Sequence, residues 1–184
     1  MQFKTTTLAG LTEVIPTVFE DERGTFFETY NQRLFEQNGL PGFFVQDNQS
    51  WSKGGVLRGL HCQRPPHAQG KLVRCIRGKV LDIAVDIRPD SPTFGHYERF
   101  LLDSQRGNMV YVPEGFAHGF VALEDSIFTY KCTNLYYKPS ESGILWNDPV
   151  LAIDWGIENP IVSEKDLKLP AFNDFIRQLA AQPA

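Results

Sequence analysis

The stretch GVLRGLHCQRPPHAQGKLVRCIRG, from Gly55 to Gly78, constrains the fold more than any other part of this 184-residue chain. It is bounded by glycines, interrupted by Pro65 and Pro66, and otherwise made of short apolar runs of the kind that form strands separated by turns. Side chains alternate along a strand, so Val56 to Gln63 places Leu57, His61 and Gln63 on one face. Lys71 to Ile76, a turn at Arg77-Gly78-Lys79, and Val80 to Ile87 read as a hairpin. In its second strand Leu81, Ile83, Val85 and Ile87 oppose Asp82, Ala84 and Asp86. A histidine, a lysine and an arginine thereby come to stand on adjacent strands.

The rest of the chain continues this pattern. Leu11, Val14, Ile15, Val18 and Phe19 are punctuated by Pro16, and the turn Asp21-Glu22-Arg23-Gly24 feeds a second run, Thr25 to Tyr30. Asn31 to Gln37 reads as a short helix with Asn31 able to cap it and Gly39 near its end. Phe43 to Gln46 starts another strand. Further strands are expected at Arg99 to Leu102, Met109 to Val112, Gly119 to Leu123 and Ile127 to Thr133, each separated by Gly, Pro, Asp or Ser. Many short strands so spaced imply an all-β sandwich or barrel. Beyond Pro170, Phe172, Phe175, Ile176 and Leu179 have the spacing of an amphipathic helix. With 42% hydrophobic residues and no repeat or linker, residues 1–184 are expected to form one domain.

Two motifs narrow the barrel further. Gly55, five residues, then His61 opens the first metal-binding motif of cupin barrels, and Gly107-x5-Pro113-x-Gly115-x2-His118 reproduces most of the second, with Ala122 in place of its final Asn. The fold expected is a cupin-type jelly-roll barrel with short peripheral helices and a C-terminal helix. In the first motif Gln63 stands where a second His is usual, and Lys71 stands where a Glu is usual. An amide is a poor transition-metal ligand and an ammonium is none, so the pocket is expected to hold no metal. Read alone, the Gly and Pro positions are turn requirements and His118 a core histidine; the shared spacing favours a site.

Composition excludes several classes. A net charge of −4, with no clustered Lys/Arg stripe, argues against a nucleic-acid surface. Cys62, Cys75 and Cys132 are odd in number and show no CxxC spacing, which suits a reducing compartment rather than a disulfide framework. The opening MQFKTTTLAG lacks an export signal's apolar core, and no apolar run approaches the roughly 18 residues of a membrane span. A cytoplasmic protein is expected.

Asp21-Glu22-Arg23-Gly24, Val45-Gln46-Asp47-Asn48, Leu57-Arg58-Gly59-Leu60-His61, Gln69-Gly70-Lys71, the run Pro113 to Phe120, and Trp146-Asn147-Asp148 together resemble the dTDP-4-dehydrorhamnose 3,5-epimerase family. The resemblance covers nearly the whole chain. It implies a jelly-roll dimer, a thymidine-diphosphate 4-keto-6-deoxy sugar as substrate, and no cofactor. One departure is Cys62, where the family usually has an aromatic residue; it should face away from His61 and affect packing only.

The residues themselves point to proton transfer beside a carbonyl, for which His61 is the candidate base. The resemblance assigns its orienting carboxylate to Asp166, although Ser163-x-x-Asp166 reads equally well as a capping box and both roles can coexist. Asp82 is the reserve candidate for orienting a histidine. Lys71 would stabilise the enolate oxygen. Inversion needs an acid on the opposite face of the sugar, and Tyr130 matches the family's proton donor, although a strand tyrosine is ordinarily packing. Arg58 can fork onto phosphate, with Gln46 and Asn48 supplying amides. By resemblance His118 and Lys165 bind substrate, Glu141 contacts it, and Tyr136 stacks on the thymine. Arg23, Phe26 and Glu28 match residues that reach a neighbouring subunit's site through an exchanged N-terminal segment, as in a homodimer. Alternatives left open are a single-position epimerase or ketoisomerase of a related sugar nucleotide, a metal-dependent cupin oxygenase, opposed by Gln63 and Lys71, and a non-catalytic sugar-nucleotide-binding cupin.

Overall fold

The structure, a computed structural model, describes residues 1–180, so the last four positions of the expected 1–184 domain lie outside the described residues. The N-terminal third contains β1 (Gln2–Thr5), β2 (Thr12–Ile15), β3 (Phe19–Asp21), β4 (Gly24–Phe26), helix α1 (Gln32–Gln37) and β5 (Gln46–Ser52). The central strands are β6 (Val56–Gln63), β7 (Lys71–Arg77), β8 (Lys79–Asp86), β9 (Tyr97–Asp103), β10 (Met109–Val112), β11 (Phe116–Ala122) and β12 (Ser126–Cys132). Short β13 (Glu141–Gly143) and β14 (Ile161–Val162) precede helix α2 (Phe172–Ala180).

These strands form two sheets packed face to face. One has the order β1-β2-β10-β7-β12-β5; the other has the order β13-β6-β11-β8-β9, with β14 added in parallel to β6. Consecutive strands repeatedly change sheet, the connectivity of a jelly roll. The expected hairpin at Gly78 is therefore corrected: β7 and β8 do not pair, because β7 lies between β10 and β12 while β8 lies between β11 and β9. Gly78, with φ +79°, turns the corner between sheets, and a Cβ there would lie 2.6 Å from the Asp125 carbonyl oxygen. Alternation cannot distinguish the two arrangements. Alternation fixes which residues of a strand share a face, but it does not say which neighbours take the strand's edges.

Three apolar clusters result. Val73, Cys75, Val80, Ala84, Val110, Phe116, Phe120 and Phe128 fill the space between the sheets. On the outer face of the second sheet Leu57, Leu60, Cys62, Ile83, Val85 and Val121 are covered by Ile144, Leu151, Trp155, Phe172 and Phe175. Cys62 thus faces away from His61, as expected. On the outer face of the first sheet Val14, Leu72 and Met109 pack under Phe35 and Leu40. Asn31 caps α1 by accepting from Leu34 N at 3.2 Å.

The acids expected on the second face of β8 are buried as deeply as its apolar residues. Asp86 is fully buried and accepts from Arg88 Nε at 2.9 Å, Ser91 Oγ at 2.6 Å and Thr93 Oγ1 at 2.7 Å. Burial pushes its carboxyl up, but these hydrogen bonds outweigh burial and hold it at about 2. Two strand expectations were too long: β4 ends at Phe26 rather than reaching Tyr30, and Phe43 to Val45 precede β5 rather than belonging to it.

Helix α2 seals the outer face of the second sheet, with Phe175 wholly buried and Ile176 and Leu179 packed beside it. Phe175→Ala is expected to cost about 3–5 kcal/mol through lost burial and a residual cavity. Urea unfolding checks this; a loss below about 1 kcal/mol would show that the helix adds little to the sheet.

Candidate active site

The site begins with an irregularity in β6. His61 pairs with His118 and Arg58 with Phe120, so three steps along β6 match two along β11. A β-bulge of this kind reverses the alternation on its own strand. Arg58 and His61 consequently both look into the space between the sheets, while Leu57, Leu60 and Cys62 look outward into the core beneath α2. The expectation that Leu57 shares a face with His61 is thus corrected. Gly59 permits the arrangement: its φ is +130°, and a Cβ there would lie 2.6 Å from Gly119 Cα.

Arg58, His61, Lys71, His118, Tyr130, Glu141, Lys165, Asp166 and Asn48 line one cavity of about 600 Å³. Asp166, on the turn after β14, accepts from His61 Nε2 at 2.8 Å through Oδ1 and from Gly59 N at 3.2 Å through Oδ2. Burial pushes the Asp166 carboxyl up, but the His61 hydrogen bond and charge, aided by Gly59 N and Lys165, bring it below its ordinary value. A carboxylate only accepts, so His61 Nε2 carries the hydrogen of this bond and Nδ1 is the ring nitrogen left for other chemistry. The capping reading holds in part: Asp166 N donates to Ser163 Oγ at 3.1 Å, while the Asp166 side chain turns to His61.

A second dyad lies across the β8–β11 pair. Asp82 Oδ2 accepts from His118 Nε2 at 2.7 Å, with both side chains buried. Asp82 therefore orients a histidine, but His118 rather than His61. Arg58 is braced by Ser52 Oγ at 3.0 Å and by the Trp51 carbonyl at 3.2 Å. Lys71 opens β7 and points inward, its Nζ 5.7 Å from the Tyr130 ring centroid. Among the described residues no carboxylate lies within 4.0 Å of that ammonium, and burial pushes its pKa down. Burial pushes the Tyr130 hydroxyl up, which keeps it protonated near neutral pH.

At the cavity's rim Glu141 joins two expected binding residues, accepting from Lys165 Nζ at 2.6 Å and from the Tyr136 hydroxyl at 3.1 Å. Gln46 donates to Asn48 Oδ1 at 3.0 Å and accepts from Tyr136 N at 2.8 Å. Three expected site residues are not brought in by their own chain. Arg23 pairs with Asp21, Glu28 accepts from Asn31, and Phe26 is 73% exposed on the small β3–β4 hairpin. Sequence reasoning also missed two residues. Ser50 lines the cavity with a buried hydroxyl that has no partner among the described residues, and Ser52 supports Arg58. Continuing the alternation from Gln46 and Asn48 along β5 would have reached both.

The two motif positions that depart from a metal centre hold no ligand-type arrangement. Gln63 directs its amide to backbone groups, and among the described residues no three His, Cys, Asp or Glu side chains converge to hold a metal.

The family model described as dTDP-4-dehydrorhamnose 3,5-epimerase matches residues 5–174. The chain belongs to this family. The dTDP-4-dehydrorhamnose 3,5-epimerase of Shigella flexneri is 52% identical over 161 residues, which cover 86% of this chain and 89% of the relative. The crystal structure of the dTDP-4-dehydrorhamnose 3,5-epimerase from Elizabethkingia anophelis NUHP1 superposes with a TM-score of 0.91 at 51% identity, covering 95% of this chain and 97% of that one. A dTDP-6-deoxy-D-glucose-3,5-epimerase from Legionella pneumophila Philadelphia 1, solved in complex with dTDP-4-keto-L-rhamnose, gives a TM-score of 0.92 at 41% identity, covering 97% and 96%. The jelly roll described above is the cupin-like fold of these dTDP-4-dehydrorhamnose 3,5-epimerases.

Proposed function

We infer that this chain is an isomerase that inverts carbons 3 and 5 of dTDP-4-dehydro-6-deoxy-D-glucose to give dTDP-4-dehydro-L-rhamnose, a step toward dTDP-L-rhamnose. The observation that carries this reading is one cavity that holds an aspartate-bound histidine, a lysine with no carboxylate partner among the described residues, and a half-buried tyrosine. Both carbons flank the ketone at carbon 4, so their protons are acidic once the resulting enolate is stabilised. Nδ1 of His61 removes the proton, and Asp166 stabilises the imidazolium that forms. The Lys71 ammonium, with no carboxylate to neutralise it, hydrogen-bonds the developing enolate oxygen. Tyr130, kept neutral by burial, delivers a proton to the other face.

The other residues hold the nucleotide end. Arg58 and His118 bind the diphosphate with Gln46, Asn48 and Lys165, Glu141 contacts the substrate, and Tyr136 stacks on the base. The chemistry uses no metal or other cofactor. EDTA treatment should leave the rate unchanged and purified protein should contain less than about 0.1 equivalent of zinc, iron or manganese. Activity lost to EDTA and restored by a metal would refute this part. The function as a whole is tested by turnover in deuterated water: the product should carry deuterium at both carbons. Label at one carbon would make the protein a single-position epimerase, and binding without exchange a non-catalytic sugar-nucleotide cupin.

The protein acts as a homodimer of single-domain chains in the cytoplasm, and the N-terminal hairpin reaches the partner's site. Support for exchange comes from β3–β4, which leaves Phe19 62% and Phe26 73% exposed and Arg23 outside its own cavity. Mixing Arg23→Ala chains with His61→Ala chains should restore activity, because one site of each mixed dimer then has both residues. Recovery of about half the wild-type rate per mixed dimer is expected. No recovery, or a fully active monomer at high dilution, would show that each chain completes its own site.

A further inference from the structure

The segment Asn134 to Tyr137 joins β12 to a single 3-10 turn at Lys138–Ser140 and belongs to no strand. Leu135, Tyr136 and Tyr137 are 59%, 50% and 46% exposed, so burial does not hold it. Its backbone is gripped by three glutamine side chains from three separate places. Gln69 Nε2 donates to the Asn134 carbonyl at 2.7 Å, and Gln63 Nε2 donates to the Leu135 carbonyl at 3.2 Å. Gln46 Oε1 accepts from Tyr136 N at 2.8 Å, and Gln63 Oε1 accepts from Tyr137 N at 2.7 Å.

Gln63 ties this segment to a second loop. Its Nε2 also donates to the His67 carbonyl at 2.6 Å, and the His67 ring lies against Tyr137 with centroids 4.1 Å apart. An amide suits this place because one end donates while the other accepts; a carboxylate cannot donate. Gln63 is 8% exposed, so its bonds are shielded from competing water. The position where a metal-binding barrel carries its second histidine is thus committed to the backbone of a surface segment.

That segment presents Tyr136. Gln46 holds its peptide nitrogen and Glu141 accepts from its hydroxyl, so the ring is fixed at both ends. We propose that Gln63 and Gln69 are positioning residues for nucleotide recognition: with Gln46 they lock the Asn134–Tyr137 backbone so that Tyr136 offers its ring to the substrate's base. This rests on the reading of Tyr136 as the stacking residue. Neither Gln63 nor Gln69 lines the cavity that holds His61, Lys71 and Tyr130. Their loss should act on binding rather than on proton transfer.

The test is calorimetric binding of dTDP alone, together with steady-state kinetics on the epimerase substrate, using the intact protein. Gln63→Met keeps the bulk and removes three hydrogen bonds; it should weaken dTDP binding about tenfold and raise KM similarly, with kcat within about threefold of wild type. Gln69→Met removes one bond, should weaken binding about threefold, and carries the test if Gln63→Met fails to fold. In a Tyr136→Ala background, Gln63→Met should add less than about twofold, because it acts through the tyrosine. Unchanged dTDP affinity in the glutamine variants, a fall in kcat at unchanged KM, or a full additive loss on Tyr136→Ala would overturn the proposal. Wild-type dTDP affinity in Tyr136→Ala itself would instead overturn the stacking reading beneath it.

Discussion

His61→Asn is expected to abolish both solvent exchange and product formation, by about 10²–10⁴-fold or more, because no other group in the cavity can take its place as base. Asn keeps a polar amide at this position but cannot act as a base, so retained folding and retained dTDP binding would show that the loss reports the missing base rather than a collapsed site. The alternatives nearby are disfavoured on the geometry. His118 is tied to Asp82 at 2.7 Å and is buried, Lys71 is a cation, and Tyr130 has its hydroxyl pushed upward by burial. Asp166→Asn should weaken both readouts less severely, since the imidazole stays in place without an anion to fix its tautomer. The measurement is deuterium incorporation at carbons 3 and 5 followed by NMR over time. A His61→Asn protein that still exchanges either position would show that another residue removes the proton.

Tyr130→Phe should separate the two readouts that His61→Asn destroys together. Abstraction by His61 survives, so deuterium washes in with retention, while inverted product falls by about 10²-fold or more for want of an acid on the opposite face. The change removes one oxygen atom and leaves the ring in contact with Phe128, at a centroid distance of 6.3 Å, so packing is preserved. A single base returning its own proton restores the starting centre, which is why exchange without inversion is the expected signature. Inversion of both carbons at the wild-type rate in Tyr130→Phe would remove tyrosine from the mechanism. Loss of exchange along with inversion would mean that Tyr130 is needed to form the enolate at all.

The candidate site was legible in the sequence to the extent that its residues sit in rigid local patterns. His61, Lys71 and His118 were found because the glycine and proline positions of two barrel motifs set their spacing, and a turn requirement is a local property of the chain. Asp166 was assigned to His61 only through the family resemblance, and Asp82 was a reserve candidate with no histidine specified; their partners lie 105 and 36 residues away, beyond any local pattern. The pairing of Asp82 with His118 needed coordinates for the same reason that the β7–β8 connection did. Alternation states which residues share a face and is silent on which strand lies next door.

What the amino-acid sequence determined by itself is the set of elements: short strands, a capped helix at Asn31, a C-terminal amphipathic helix, and a motif pocket without a metal's ligand set. Each follows from interactions among residues close along the chain, in periodicity, capping and turn geometry. What only the tertiary structure decided depends on residues that meet from far apart. Gly59 crossing Gly119 permits the bulge that turns Arg58 and His61 to the same side, and no periodic reading of β6 could supply it. Gln63 binding Leu135 and Tyr137 across more than seventy residues is of the same kind, because a buried amide takes whatever backbone groups the folded chain leaves without partners.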